Sequence, residues 1–291
     1  MLGAVHAGSV AWLLMVSIGT SALGGALGMA SGIFIVPALT LFGGIDIHAA
    51  VAASIVSVIA CSCGSAAPFL RSGLTNIRVA IVLEVATTPG ALTGVLLAGI
   101  LSATFLYFLF AAVLLVSASQ MMARRHEILG ETDETNLRDW ATLLRLHSSY
   151  PDHALGRDVF YRVRRVPLGL ALMYGAGLIS ALLGIGSGVL KIPAMDTALR
   201  LPIKVSSATS NFMIGVTAAA SGVAYFARGD IDPAIAGPVA LGSVLGAVLG
   251  AHLLMAVSGD KLRLFFVLVL VALAAQMLLS AFGIHLTGLT A

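Results

Sequence analysis
The sequence predicts an all-α polytopic membrane protein built from two inverted five-segment repeats, with a short broken or re-entrant hairpin in each. Three observations predict it: an excess of apolar residues, apolar runs in two groups of five, and a self-match at one fixed spacing. Of 291 residues, 59% are hydrophobic and 10% charged, and the mean hydropathy is +1.03. Soluble domains run at about 45–50% apolar and about 25% charged, so part of this surface needs lipid to cover it. The net charge of +3 gathers in a few loops, which reports membrane orientation rather than nucleic-acid binding. The first basic residue is Arg71. The N-terminal run therefore lacks the positive flank of a cleaved signal peptide and is expected to stay in the mature protein.

The apolar runs are 9–27, 30–43, 48–70, 79–101 and 105–122, then 167–183, 187–199, 205–227, 234–257 and 262–282. A bilayer core takes roughly 20 helical residues. The second run of each group falls short, follows a glycine cluster and contains a proline, so runs one and two are read as a hairpin entering and leaving on one side. Between the groups, residues 123–165 hold eight arginines. There Leu137, Trp140, Ala141 and Leu144 recur at i, i+3, i+4 and i+7, predicting a short amphipathic helix with Arg138 and Arg145 facing headgroups. The organisation is membrane repeat one at 1–122, a cytoplasmic loop at 123–165 and membrane repeat two at 166–291.

Slid along itself by 156 residues, the chain brings Leu27-Gly28-Met29-Ala30-Ser31-Gly32 onto Leu183-Gly184-Ile185-Gly186-Ser187-Gly188, and Pro37 onto Pro193. The same spacing pairs Ser54 with Ser210, Gly90 with Gly246 and Gln120 with Gln276. Constant register across five segments indicates internal duplication. An odd number of segments inverts the second copy. With 123–165 inside, that arrangement leaves 14 basic residues inside and only Arg228 outside, whereas parallel copies give 11 and 4; the positive-inside rule selects the inverted one. Inverted repeats are the architecture of secondary transporters.

The run Leu183-Gly184-Ile185-Gly186-Ser187-Gly188-Val189-Leu190-Lys191-Ile192-Pro193-Ala194-Met195, followed by Leu201 to Asn211, resembles the glycine-rich signature of the TauE/SafE sulfite exporter family. The first-half copy is the degenerate partner, with Ala30 where the signature prefers glycine. The resemblance covers nearly the whole chain apart from the central loop. It implies a multi-pass carrier of the bacterial inner membrane; the charge count puts the loop in the cytoplasm and both termini in the periplasm. Its cargo would be sulfite, a sulfonate or another sulfur-containing organic anion, usually exported.

The residues support an anion site independently. A glycine-rich break frees backbone N–H groups at a helix N-terminus, where the dipole favours negative charge. Gly28, Gly32, Gly184, Gly186 and Gly188 allow close approach, while Ser31 and Ser187 add hydroxyl donors. The alternative is that these glycines serve only tight helix packing. Lys191, one turn beyond Gly188, is the basic residue placed at depth. It either neutralises an oxyanion or snorkels to the interface. Ser54, Thr209, Ser210 and Asn211 line the adjoining segments, as substrate contacts or as interhelical glue. Glu84 is the candidate for proton coupling, with an ion pair to Arg78 or Arg71 as the plainer reading. Asp196 is read as a partner of Lys191 or Arg200.

No metal or other cofactor is expected: Cys61 and Cys63 fall on different helix faces and the histidines are scattered. The chain has no nucleotide-binding, HExxH or GxSxG pattern, which argues against a pump or an intramembrane enzyme. An anion channel on the same scaffold stays open. The expected partners are a small anion and the lipid bilayer, with no nucleic acid, and a homodimer is compatible with the sequence.

Overall fold
A computed structural model describes residues 7–26, 31–122, 140–152, 157–186, 188–256 and 259–282. The first half holds α1 (Ala7–Ala26), α2 (Gly32–Leu41), α3 (Ile47–Arg71), α4 (Ile77–Ala98) and α5 (Ala103–Met122). The second holds α7 (Val166–Leu183), α8 (Gly188–Ala194, widening into a π-helical turn at Met195–Leu199), α9 (Ile203–Ala227), α10 (Pro233–Ala256) and α11 (Gly259–Ala281). Among the described residues, Ile77–Ala98, Ala103–Gln120 and Val166–Leu183 are long and apolar enough to cross a bilayer.

The helix bounds repeat with the spacing found in the sequence. Helices α2, α3, α4 and α5 begin 156 residues before α8, α9, α10 and α11. Packing repeats as well: α1 lies on α10 as α7 lies on α4, α3 lies on α10 as α9 lies on α4, and α3 meets α9 as α5 meets α11. One contact recurs residue for residue. Gly90 of α4 presses on the carbonyl of Tyr174 in α7, and Gly246 of α10 on the carbonyl of Ile18 in α1. A Cβ at either glycine would overlap that oxygen.

Each short helix folds back on the one before it. Gly43, just beyond α2, touches Trp12 near the start of α1, and Gly169 near the start of α7 touches Leu199 at the end of the π turn. Gly222 packs on Ile55 and Ile59 while Gly215 packs on Ser62, so α3 and α9 cross in opposite directions.

The central segment corrects a purely helical reading. Helix α6 covers only Trp140–Leu143, and β1 (Ser148–Asp152) pairs antiparallel with β2 (Arg157–Tyr161). Leu144 and Arg145 lie past the end of α6, while Leu137 and Arg138 are outside the described residues. The strands follow from Tyr150, Val159, Phe160 and Tyr161, residue types that favour a pleated, half-buried surface. Tyr150 and Tyr161 pack with Val79, Leu83, Leu199 and Val205, so the hairpin caps the end where α4 and α9 begin. Asn76 ties this junction together. Its Oδ1 accepts from Val79 N at 3.1 Å and caps α4; its Nδ2 donates to Leu146 O at 3.1 Å and to Tyr161 Oη at 2.8 Å. Burial pushes the Tyr161 phenol above its ordinary pKa, against the hydrogen bonds from Asn76 and Ser148.

Candidate anion-binding site
The break between α7 and α8 is built on backbone that favours glycine. Gly184 caps α7 at φ 65° and Gly186 has φ 64°, the left-handed region that costs other residues about 1–2 kcal/mol. The two halves meet here: Gly32, the first residue of α2, lies against the carbonyl of Gly184, which no Cβ at position 32 would tolerate. Ser54 Oγ donates to the same carbonyl at 2.9 Å and to Val51 O at 2.7 Å, filling an acceptor left at the end of α7. Downstream, Pro193 brings no N–H to the helix ladder, and the helix widens at Met195–Leu199 before stopping at Arg200.

Helices α8 and α9 are antiparallel neighbours. Asp196 Oδ1 accepts from Ser206 Oγ at 2.8 Å, and Gly188 faces Ile214 and Ser210. Extending that register sets Thr217 level with Ile185, inside the break. Lys191 reaches this depth. A helical side chain leans toward the N-terminus of its helix, and Lys191 Nζ donates to Thr217 Oγ1 at 2.6 Å and to Glu84 Oε1 at 3.2 Å. Thr217 donates to the same carboxylate oxygen at 2.7 Å, and Thr88 Oγ1 to Oε2 at 2.9 Å. Lys191 is wholly buried and does not snorkel. Glu84, one helix away in the other half, is its partner rather than that of Arg78 or Arg71.

The hydroxyls divide into committed and open donors. Ser243 donates to Val239 O at 2.7 Å, so Ser57 donates to Ser243 at 2.5 Å and Ser31 to Ser57 at 2.7 Å. The Ser31 hydrogen is thus used inside the first half, as that of Ser54 is used on Gly184. Thr209 Oγ1 accepts from Asn76 N at 3.1 Å, away from the break. Ser210, the counterpart of Ser54, differs: its buried Oγ has no partner among the described residues, and neither does Asn211 Nδ2. Gly28 and Ser187 lie outside the described residues.

The structure therefore groups Gly32, Ser54, Gly184, Gly188, Ser210 and Lys191 around the break. It adds Thr217, Thr88, Ser57 and Ser243, which the sequence reading did not single out as site residues. Thr217 had a signal: it stands two turns along α9 from Ser210, on the same face.

The family model of the sulfite exporter TauE/SafE matches residues 13–277. The chain belongs to the TauE/SafE family. Among its relatives, this TauE/SafE chain is 22% identical over 279 residues to the Bacillus subtilis (strain 168) protein named "Probable membrane transporter protein YunE", covering 92% of this chain and 98% of that one. It is 27% identical over 242 residues to that organism's "Probable membrane transporter protein YdhB", covering 83% and 86%. No solved structure gives a significant match. The TauE/SafE chain is accordingly a membrane transporter.

Proposed function
We propose that this transporter is a secondary carrier exporting a sulfur oxyanion or organosulfonate across the bacterial inner membrane by alternating access between inverted repeats. One observation carries the reading: two buried donors have no partner among the described residues, Ser210 Oγ, which stands beside Gly188 at the break, and Asn211 Nδ2 at the next position of α9. An unmatched buried donor costs about 1–3 kcal/mol, and a bound oxyanion removes that cost. Lys191 supplies positive charge two turns further along α9, where its ammonium meets Thr217, and two of its three N–H groups are engaged. The family name supplies sulfite as the first substrate to test.

Glu84 is the coupling group in this scheme. Its carboxylate holds the Lys191 ammonium. A proton taken up at Oε1 neutralises it and frees Lys191 for the anion, so protonation and anion binding are linked. Inversion is supported by the opposite directions of α3 and α9 and by the shared 156-residue register. The hairpin-bearing end then faces the cytoplasm and both termini the periplasm, in line with the basic loop.

The test is uptake of sulfite, thiosulfate, sulfoacetate and sulfate by purified protein in liposomes. Saturable counterflow is expected, with Ser210→Ala plus Asn211→Leu raising KM at least tenfold. Glu84→Gln is expected to abolish the dependence on a pH gradient. Ohmic flux would instead favour a channel, and a double variant with unchanged KM would remove the site from this place.

A further inference from the structure
At the end of the molecule opposite the β-hairpin, helices α3, α4, α5, α7 and α9 enclose a cavity of about 450 Å³. Helix α4 links the two ends: Asn76 at its start meets the hairpin, and Ala98 at its finish lines the cavity. Its 22 residues at about 1.5 Å each make roughly 33 Å. The mouth carries charge. Arg228 Nη1 donates to the carbonyl of Val95, near the end of α4, where a helix favours a cation. Its Nε pairs with Asp230 Oδ2 at 3.0 Å. Gly99 makes this possible, since a Cβ there would strike the guanidinium. Two of the five guanidinium N–H groups are thereby used. His48 sits at the same mouth, its Nδ1 facing Asp46 at 3.2 Å and its Nε2 facing Leu101 O at 3.3 Å.

The floor is apolar and adjoins the break. Val51 and Leu182 line it, the Val51 carbonyl accepts from Ser54, and Val51 packs on Gly184. The cavity therefore leads from water to the place where the two halves meet.

We propose that this cavity is a vestibule for the transported anion. Arg228 holds the anionic group, and the apolar floor takes an apolar body that a compact inorganic oxyanion lacks. The proposal rests on the transporter reading above. Volume and lining decide the class. Pockets of about 300–1,000 Å³ with apolar walls and few polar groups suit organic ligands. An ion the size of sulfite displaces only about two or three waters at about 30 Å³ each, leaving most of the space empty. Asp230 is the counter-ion that the ligand replaces: it sits on the turn after α9 with its side chain 34% exposed.

The experiment is proteoliposome uptake of sulfite and of a graded alkanesulfonate series from one to eight carbons. Expected for the unmodified protein is a KM that falls with chain length. Ala49→Trp, which takes up part of the cavity and leaves passage for a compact ion, is expected to raise the KM of the longer sulfonates at least tenfold and to leave that of sulfite within twofold. Asp230→Asn removes the competitor and is expected to lower their KM severalfold, and Arg228→Gln to raise it. The last two lie at the surface and keep the test decisive if the tryptophan variant does not fold. Equal effects on sulfite and sulfonates, or no effect from any of the three, would overturn the vestibule while leaving transport at the break intact. Absence of uptake for every anion would overturn both.

Discussion
Lys191 Nζ and Glu84 Oε1 stand 3.2 Å apart, with Thr217 hydrogen-bonded to both, and the pair joins the two halves of the chain. Neither member has an ionisable counterpart in the other copy: the positions 156 residues away hold Ile35 and Ala240. The duplicated frame thus carries this buried pair without a repeat-related copy, built from both halves on one side of the break.

Removing one member leaves a buried charge alone. Lys191→Met or Glu84→Leu alone is expected to lower stability by about 3–5 kcal/mol, and the double variant to recover most of it. Thermal unfolding in detergent micelles measures this. Additive losses in the double variant would show that the pair is not coupled.

Ser210→Ala and Asn211→Leu are expected to act in opposite directions on two readouts. Each deletes a donor that has no partner among the described residues, so stability holds or rises by about 1 kcal/mol. Anion uptake falls at the same time. Loss of stability together with uptake would mean that these groups have partners in the folded protein.

Gly32→Ala should be among the most damaging of small substitutions, because the added methyl meets the Gly184 carbonyl where neither backbone has room to move. Overpacking of this kind costs about 1–3 kcal/mol. Gly175→Ala, in the middle of α7 with nothing within 4 Å of the new methyl, is expected to stabilise by up to about 1 kcal/mol. Unfolding midpoints of the two variants make the comparison.

The hairpin junction should respond to alkali. Folding raises the Tyr161 phenol above its ordinary value, near 10 for a free tyrosine. The unfolded chain then releases this proton first, so the contribution to stability is complete below about pH 10 and is lost as pH rises through the folded value. Tyr161→Phe is expected to remove this component of the alkaline loss and, at neutral pH, to cost about 1 kcal/mol for the Asn76 bond. Melting between pH 8 and 11 in both proteins reads the difference.

Much of the frame is legible in the sequence because lipid imposes long apolar runs and duplication fixes their spacing. Helices α3 and α9 are expected at 48–70 and 205–227 and lie at Ile47–Arg71 and Ile203–Ala227. The β-hairpin escaped because Ser148–Asp152 carries only Tyr150 as a strong strand former, and its pairing with Arg157–Tyr161 is a tertiary matter. Local spacing placed Lys191 near the break. It could not supply the partner, since Glu84 is 107 residues away and α4 reaches it only through the packing of α4 on α9. Nor could spacing separate Ser54 from Ser210. Their sequence settings match, and the carbonyls of Val51 and Gly184 facing Ser54 make that hydroxyl spent and the other open.

In the proposed alternating-access cycle, the matched contacts of Gly90 on Tyr174 and Gly246 on Ile18 would act as twin hinges on one door. A methyl group wedged into one seam loosens the packing of that half and leaves its twin tight. Gly90→Ala and Gly246→Ala should therefore tilt the conformational balance toward opposite faces of the membrane. Joined in one chain, they should restore the balance while slowing the swing.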